Sequence, residues 1–357
     1  MTFTAVYSPE KARDLALEFL AGVKPYGKPD HWKEAMLRAH YGASSVTLSN
    51  QWFDLVFAGD TIPNLQRLTP NEVSKHGFKR FVMAHFWMWQ YPKNAKTFGS
   101  RFEVCESLAT GEIVQRWVRR ISALSAKKIF WPANLDSRDT QTYIITIDGV
   151  DCRTWEPRTD RHNMNPLEMS HKHNHGAVKY EIAISILEPR CVWISATYSG
   201  GVHDLTIFRE KLKAKIKKWK KAIVDRGYTS QEPDEVAILS IPSCSDSRDF
   251  QEYQRRARLR HESFNGKLKK YTILAETYRH DRDYHRDIML AIATTVQYEL
   301  DNGEQLTYDV PHFGIPGAAP FLGATETMER ALHSVEFNKI NLLESAEQHD
   351  GTFSQIL

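Results

Sequence analysis

The sequence predicts an α/β domain built on a mixed sheet, preceded by an all-α amino-terminal domain. Up to about residue 132 the apolar residues recur with the spacing of helices, and from Tyr143 they take the two-residue spacing of strands. Three strands, a helix, a further strand and a long amphipathic helix then follow, an order in which helices cover a sheet. With 357 residues, 41% of them hydrophobic, the chain has material for two or three domains with real cores, which excludes a disordered protein.

Residues 78–89 are too apolar to be exposed all round, and Pro92 stops the run, so a buried core helix is expected there. A helix over 98–106, a break at Ser107-Leu108-Ala109 and a second helix from Thr110 have the spacing of a helix-turn-helix at about 95–128. Thr110 can cap the second helix, with Glu112 in its first turn. Ile113, Trp117, Ile121 and Leu124 share one side of that helix while Arg116, Arg119 and Arg120 project elsewhere, as a groove-reading helix requires. An ordinary helical hairpin has the same pattern.

Strands are expected over 143–147, 180–186 and 191–197, paired antiparallel through short connections. Gly200-Gly201 turns the chain into a helix over 205–221, followed by a short apolar strand ending in Asp225 and another over 236–241. From Phe250 onward, Phe250, Tyr253, Ala257, Phe264, Leu268 and Tyr271 fall on one side at about 100° per residue. Glu262 lies on the other side, with Arg255, Arg258, Gly266 and Lys269. The expected domains are 1–132, 140–300 and an acidic tail, 301–357.

Charge is unevenly spread. Residues 301–357 carry nine acids against Arg330 and Lys339, so the rest of a chain of net charge +3 stands at +10. A basic body favours a polyanionic partner, because phosphate neutralisation releases counterions. The four cysteines form no Cys-x-x-Cys pair, and neither a long apolar span nor a secretory leader is evident, so an unsecreted protein of a reducing compartment, without membrane attachment, is expected.

The chemistry is carried by acids. Asp148 closes the first strand, Asp225 closes the fourth, and Glu262 lies on the helix after it. Adjacent strand ends bring such side chains together, and converging carboxylates repel unless a cation shares the site. Hard oxygen ligands suit Mg2+ or Mn2+, and two such ions support in-line phosphoryl displacement.

Four segments in order, Asp148-Gly149-Val150, Gly200-Gly201-Val202-His203-Asp204-Leu205-Thr206-Ile207-Phe208, Val224-Asp225-Arg226-Gly227-Tyr228 and Arg258-x-x-x-Glu262-x-Phe264-x-x-x-Leu268-Lys269, resemble the signatures of DDE transposases. The pattern is most similar to the Harbinger group, related to the bacterial IS5 type, over roughly 140–275. The resemblance implies an RNase H-like catalytic domain that cuts DNA at transposon ends and joins the freed 3′ ends to a target. It further implies Asp148, Asp225 and Glu262 as ligands of two divalent ions, with Asp204 the rival for the middle place. Double-stranded DNA, further copies of the chain and a Myb-like protein are the implied partners, with nuclear residence in a eukaryote and cytoplasmic residence otherwise.

Lys172, Lys217, Lys218, Arg255, Arg258 and Lys269 join Arg116, Arg119 and Arg120 as candidate DNA contacts. Lys217 and Lys218 belong to a dense lysine run over 211–221 that also reads as a solvated helix face. His171, His173 and His175 alternate as zinc ligands on a strand would, though a solvated hairpin has the same pattern. Two other functions fit the same acids less closely: a domesticated transposase that binds DNA without cutting it, and an RNase H-like hydrolase of RNA–DNA hybrids.

Overall fold

The computed structural model describes residues 6–57, 61–63, 65, 67–104, 111–138, 140–155, 165–170, 172 and 174–307. The chain divides into a unit Met1–Val310 and a second, Pro311–Leu357, which lies outside the described residues.

Every element described before Tyr143 is helical: α1 (Pro9–Glu18), α2 (Asp30–Tyr41), α3 (Ser45–Phe57), α4 (Lys75–Gln90), α5 (Ala95–Arg101), α6 (Glu112–Ala123), the short α7 (Ser125–Lys128) and a 3-10 turn at Ala133–Leu135. α4 is the expected core helix, buried from Phe81 through Met88, and Ser74 caps its start by accepting from Gly77 N–H. α5 is shorter than expected, and the break and Thr110 cap lie outside the described residues. Gly111 takes the cap position of α6 without a side-chain bond, and Glu112 does occupy the first turn.

The sheet forms around β1 (Tyr143–Arg153), with β2 (Met169–Ser170), β3 (His175–Ser185), β4 (Cys191–Ile194) and β5 (Tyr198–Ser199) before the helices and β6 (Lys221–Ile223) and β7 (Leu239–Ser240) after them. β1 runs antiparallel to β3 on one side and parallel to β6 on the other, β7 extends the sheet beyond β6 in parallel, and β3 pairs also with β2, β4 and β5. The sheet is therefore mixed, as expected, and the early strands pair antiparallel. β3 is buried at ten consecutive residues, so both faces are covered and its polar members have no route to solvent.

Helices α8 (Asp204–Ile207) and α9 (Lys213–Lys215), joined through a π turn at Phe208–Leu212, stop six residues short of the expected end. Residues 236–241 are not one strand: α10 (Pro233–Ile238) occupies the first half of that segment and β7 only Leu239–Ser240. Pro233 starts α10 and Glu235 fixes it, accepting from Arg209 and Lys213. α11 (Arg248–Lys269) is the long amphipathic helix, capped by Ser247, which accepts from Phe250 N–H at 3.3 Å. A short α12 (Thr272–Ala275) and the buried α13 (His285–Asp301) complete the unit.

Two hydrophobic clusters lie on the two sides of the sheet. One runs from α1 through α4, α6 and α13 to Val150, Cys152, Val178 and Ile182, and the other joins Ile145, Ile147 and Ala183 to Leu205, Phe208, Leu212 and Tyr228. The amino-terminal helices thus share a continuous core with one side of the sheet.

Candidate functional site

The register of β1 and β6 builds the site. Thr146 stands beside Ile223 in the parallel ladder, so two residues further along, Asp148 and Asp225 are neighbours. β1 does not end at Asp148 as expected: it runs on to Arg153, held by its ladder with β3, so Asp148 is a mid-strand residue beside the point where β6 stops. Across β3, Asp148 faces Ile182 and Gly149 faces Glu181. α11 crosses β1 at this point and presents Glu262. A small cleft is lined by Thr146, Ile147, Asp148, Asp225, Arg258, His261 and Glu262, so the three acids that the sequence singled out border one space.

Each acid is held differently. Asp148 Oδ1 accepts from Gly149 N–H at 2.9 Å, and its Oδ2 accepts from Asn265 Nδ2 at 3.0 Å. Burial first, and then the charge of Asp225, push the Asp148 carboxyl up to about 6, with Asp204 adding to the rise and Lys172 opposing it. Asp225 caps the 3-10 turn Arg226–Tyr228, its Oδ1 accepting from Gly227 N–H at 2.8 Å. Glu262 is exposed at the cleft's edge. His261 beside it is buried, with Nδ1 2.7 Å from Thr146 Oγ1, and burial holds its ring down to about 3, so the imidazole is neutral.

Although it lies close to Asp225, Asp204 does not line this cleft. Its Oδ1 lies 3.2 Å from the Nζ of Lys179, which also donates to Val202 O. A Cβ at Gly149 would come within 2.9 Å of Asp204 Oδ1, and one at Gly227 within 3.1 Å of Asp204 Oδ2 and 3.0 Å of Asp225 Oδ1. The missing side chains at these two glycines leave the room in which the Asp204 carboxylate lies. Gly149 alternates with Asp148 along β1, which puts Asp204 on the opposite side of the strand from the Asp148 side chain.

Among the described residues no three His, Cys, Asp or Glu side chains stand close enough to grip one ion together. The donor set nevertheless fits a hard divalent cation. Asp148 and Asp225 are neighbouring oxygen donors, and burial together with the charge of Asp225 raises the Asp148 pKa, a cost that a shared cation relieves.

The basic candidates divide. Arg258 lines the cleft, and Lys172 is exposed and near enough to lower the Asp148 pKa. Arg116, Lys217 and Lys218 are exposed, with Lys217 4.0 Å from Asp136. Arg119 is exposed, over the ring of Tyr284 and 3.4 Å from Asp287. Arg255 pairs with Glu252 on its own helix. Two expectations are corrected. Arg120 does not project to solvent: it is buried on the ring of Trp117 and pairs with Glu72 at 2.9 Å, because α6 packs with that side inward. Lys269 is turned into the structure, its Nζ donating to Asp151 O and Leu274 O. The lysine run is partly structural as well, since Lys213 pairs with Glu235 and Lys220 is buried against Thr140 and Gln141 carbonyls. His171 and His173 lie outside the described residues.

Asn265 and Glu181 were not anticipated. Asn265 follows Glu262 by three residues, so helical spacing alone places it on the same side of α11. Glu181 was hidden by the alternation of Tyr180, Ile182 and Ile184, which does not show that its side of β3 is covered.

Residues 147–297 match the family described as DDE superfamily endonuclease, a span that opens one residue before Asp148 and includes Asp204, Asp225 and Glu262. The likeness to DDE enzymes drawn from the four motifs therefore holds over this segment, and it supports a transposase-type nuclease. Comparison with curated proteins finds no match. Among solved structures, one titled "Crystal structure of a pre-cleavage Mos1 transpososome" is similar at 11% identity, covering 84% of this chain and 99% of that one with a TM-score of 0.17, too low to align the two folds. Among the described residues no helix is long and apolar enough to cross a membrane.

Proposed function

We propose that the chain is a DDE transposase of Harbinger type that cuts DNA at transposon ends and joins the resulting 3′-hydroxyls to target DNA. The observation that carries this reading is the cleft bordered jointly by Asp148, Asp225 and Glu262. Asp148, Asp225 and Glu262 would hold the divalent ions. Mg2+ or Mn2+ held there would lower the pKa of a water or 3′-hydroxyl and stabilise the charge on the leaving 3′-oxygen. Asn265 keeps the Asp148 carboxylate turned toward the cleft, and Arg258 meets the scissile phosphate. In the first reaction water attacks phosphorus and the P–O3′ bond breaks; in the second the freed 3′-oxygen attacks a target phosphodiester and displaces that strand's 3′-oxygen. Asp204, engaged with Lys179 behind Gly149, orients the Asp225 turn and is not an ion ligand.

Residues 1–132, with Arg116 and Arg119 on the exposed side of α6 and the helix-turn-helix spacing over 95–128, serve as the DNA-binding part, and Lys172, Lys217 and Lys218 extend that contact along the RNase H-like domain, 140–300. Self-association, a Myb-like partner and nuclear residence rest on the Harbinger likeness alone.

Nicking of supercoiled DNA with Mg2+ or Mn2+ tests the reading. Asp148→Ala, Asp225→Ala and Glu262→Ala should each lose at least about a hundredfold in rate, since even groups that merely orient an ion's ligands are worth about 10–100-fold. Asp204→Asn should keep measurable cleavage. Loss in Asp204→Asn with Asp225→Ala active would exchange the two acids. DNA binding without metal-dependent nicking would make the protein a domesticated binder, and cutting confined to RNA–DNA hybrids would make it a hydrolase.

A further inference from the structure

Glu181 is a buried acid that the proposed chemistry does not use. It lies on β3 opposite Gly149, on the Asp204 side of the sheet, and is 1% exposed. Its backbone is fixed by two bonds to Ser195, the Glu181 N–H donating to Ser195 Oγ and the Ser195 N–H to Glu181 O, each at 2.9 Å. Oε1 accepts from the Tyr228 hydroxyl at 3.2 Å, and Oε2 has no hydrogen-bond partner among the described residues. The nearby Lys179 is directed at Asp204 and Val202 O instead. An acid buried with one hydrogen bond, near the charge of Asp204, is costly, and an apolar residue there would avoid that cost.

Tyr228 connects this acid to the site. Its ring is buried, and it closes the turn that Asp225 opens and caps. Asp225 therefore has its position set from both ends: by β6 before it, and by the Glu181–Tyr228 contact after it.

We propose that Glu181 is a positioning residue, which through Tyr228 fixes the turn that aims the Asp225 carboxylate at the ion shared with Asp148. The inference rests on the reading of Asp148 and Asp225 as ion ligands. Burial pushes the Glu181 carboxyl up to about 8, so it is neutral at physiological pH and a glutamine side chain reproduces both its shape and its acceptor oxygen.

The test is Mn2+ binding by the full chain without DNA, read from the loss of the free-ion paramagnetic resonance signal, with thermal melting alongside. Wild type and Glu181→Gln should bind alike. Tyr228→Phe, which removes only the hydroxyl, and Glu181→Leu should bind about 10–100-fold more weakly with melting unchanged or raised in the leucine variant. Should Glu181→Leu fail to fold, Tyr228→Phe decides. Wild-type affinity in Tyr228→Phe and Glu181→Leu, with binding abolished in Asp225→Ala, overturns the positioning role and leaves the ion site standing. Absence of Mn2+ binding in wild type, or full binding in Asp225→Ala, overturns the ion site and the positioning role with it.

Discussion

Asp148 and Asp225 stood out because each follows an apolar run, although only Asp225 follows a strand's end; Asp148 lies midway along β1. Glu181 did not, because nothing in the alternation of β3 shows that both sides of the sheet are covered, and it is that coverage which buries the acid. The same burial has a measurable linkage. The native carboxyl is pushed up to about 8, whereas the unfolded chain ionises it near the ordinary glutamate value, about 4.3. Between those values the folded state holds a proton that the unfolded state has lost. The stability it contributes is complete below the unfolded pKa and is lost as pH rises through the native one. Glu181→Gln has no such proton, so in urea titrations from pH 5 to 8 it should gain on wild type by about 1.4 kcal/mol per pH unit. An equal pH dependence in the two proteins would show that Glu181 is ionised in the folded chain.

α11 was read correctly because its apolar period is long, and its buried residues include Tyr253, Ala257, Phe264 and Leu268 as expected. α10 was mistaken for a strand because what stabilises it is distant in sequence: the Glu235 carboxylate is held by Arg209 and Lys213 of the preceding helical segment. β1 has a comparable long-range dependence, since Gly149 is needed for the acid of α8 rather than for a turn. A methyl group at Gly149 would stand 2.9 Å from Asp204 Oδ1, and Lys179 restrains that carboxylate from moving away. Gly149→Ala should therefore cost about 1–3 kcal/mol, the usual range for overpacking. Asp204→Ala removes the clash, so the double variant should lie well above the sum of the two single losses, with a coupling of about 0.5–3 kcal/mol. Strict additivity in chemical denaturation would mean that β1 tolerates the methyl group without involving Asp204.

Sequence suggested a boundary near residue 132 because the hydrophobic period changes there, but a change of period marks a change of secondary structure and need not mark an edge of a core. The contacts that join the two parts link residues far apart in the chain. Arg38 of α2 pairs with Glu299 and Glu304, Tyr271 donates to Gly42 O, Lys128 pairs with Asp301, and Glu299 accepts from Ser44 N–H. α13 is buried along most of its length between α6 and the side of the sheet that carries Val150 and Ile182. An interface of this kind couples the unfolding of its two sides, because exposing either one strands the apolar surface of the other. Trp52→Ala provides the test, since Trp52 is wholly buried in α3, stacked near Trp117 and remote in sequence from every acid of the cleft. The substitution should cost about 3–5 kcal/mol. Helical ellipticity and the near-ultraviolet signal of the sheet's tyrosines should shift to lower temperature together. Two separated transitions, with only the helical one displaced by the substitution, would establish the amino-terminal helices as an independent domain, able to move relative to the sheet.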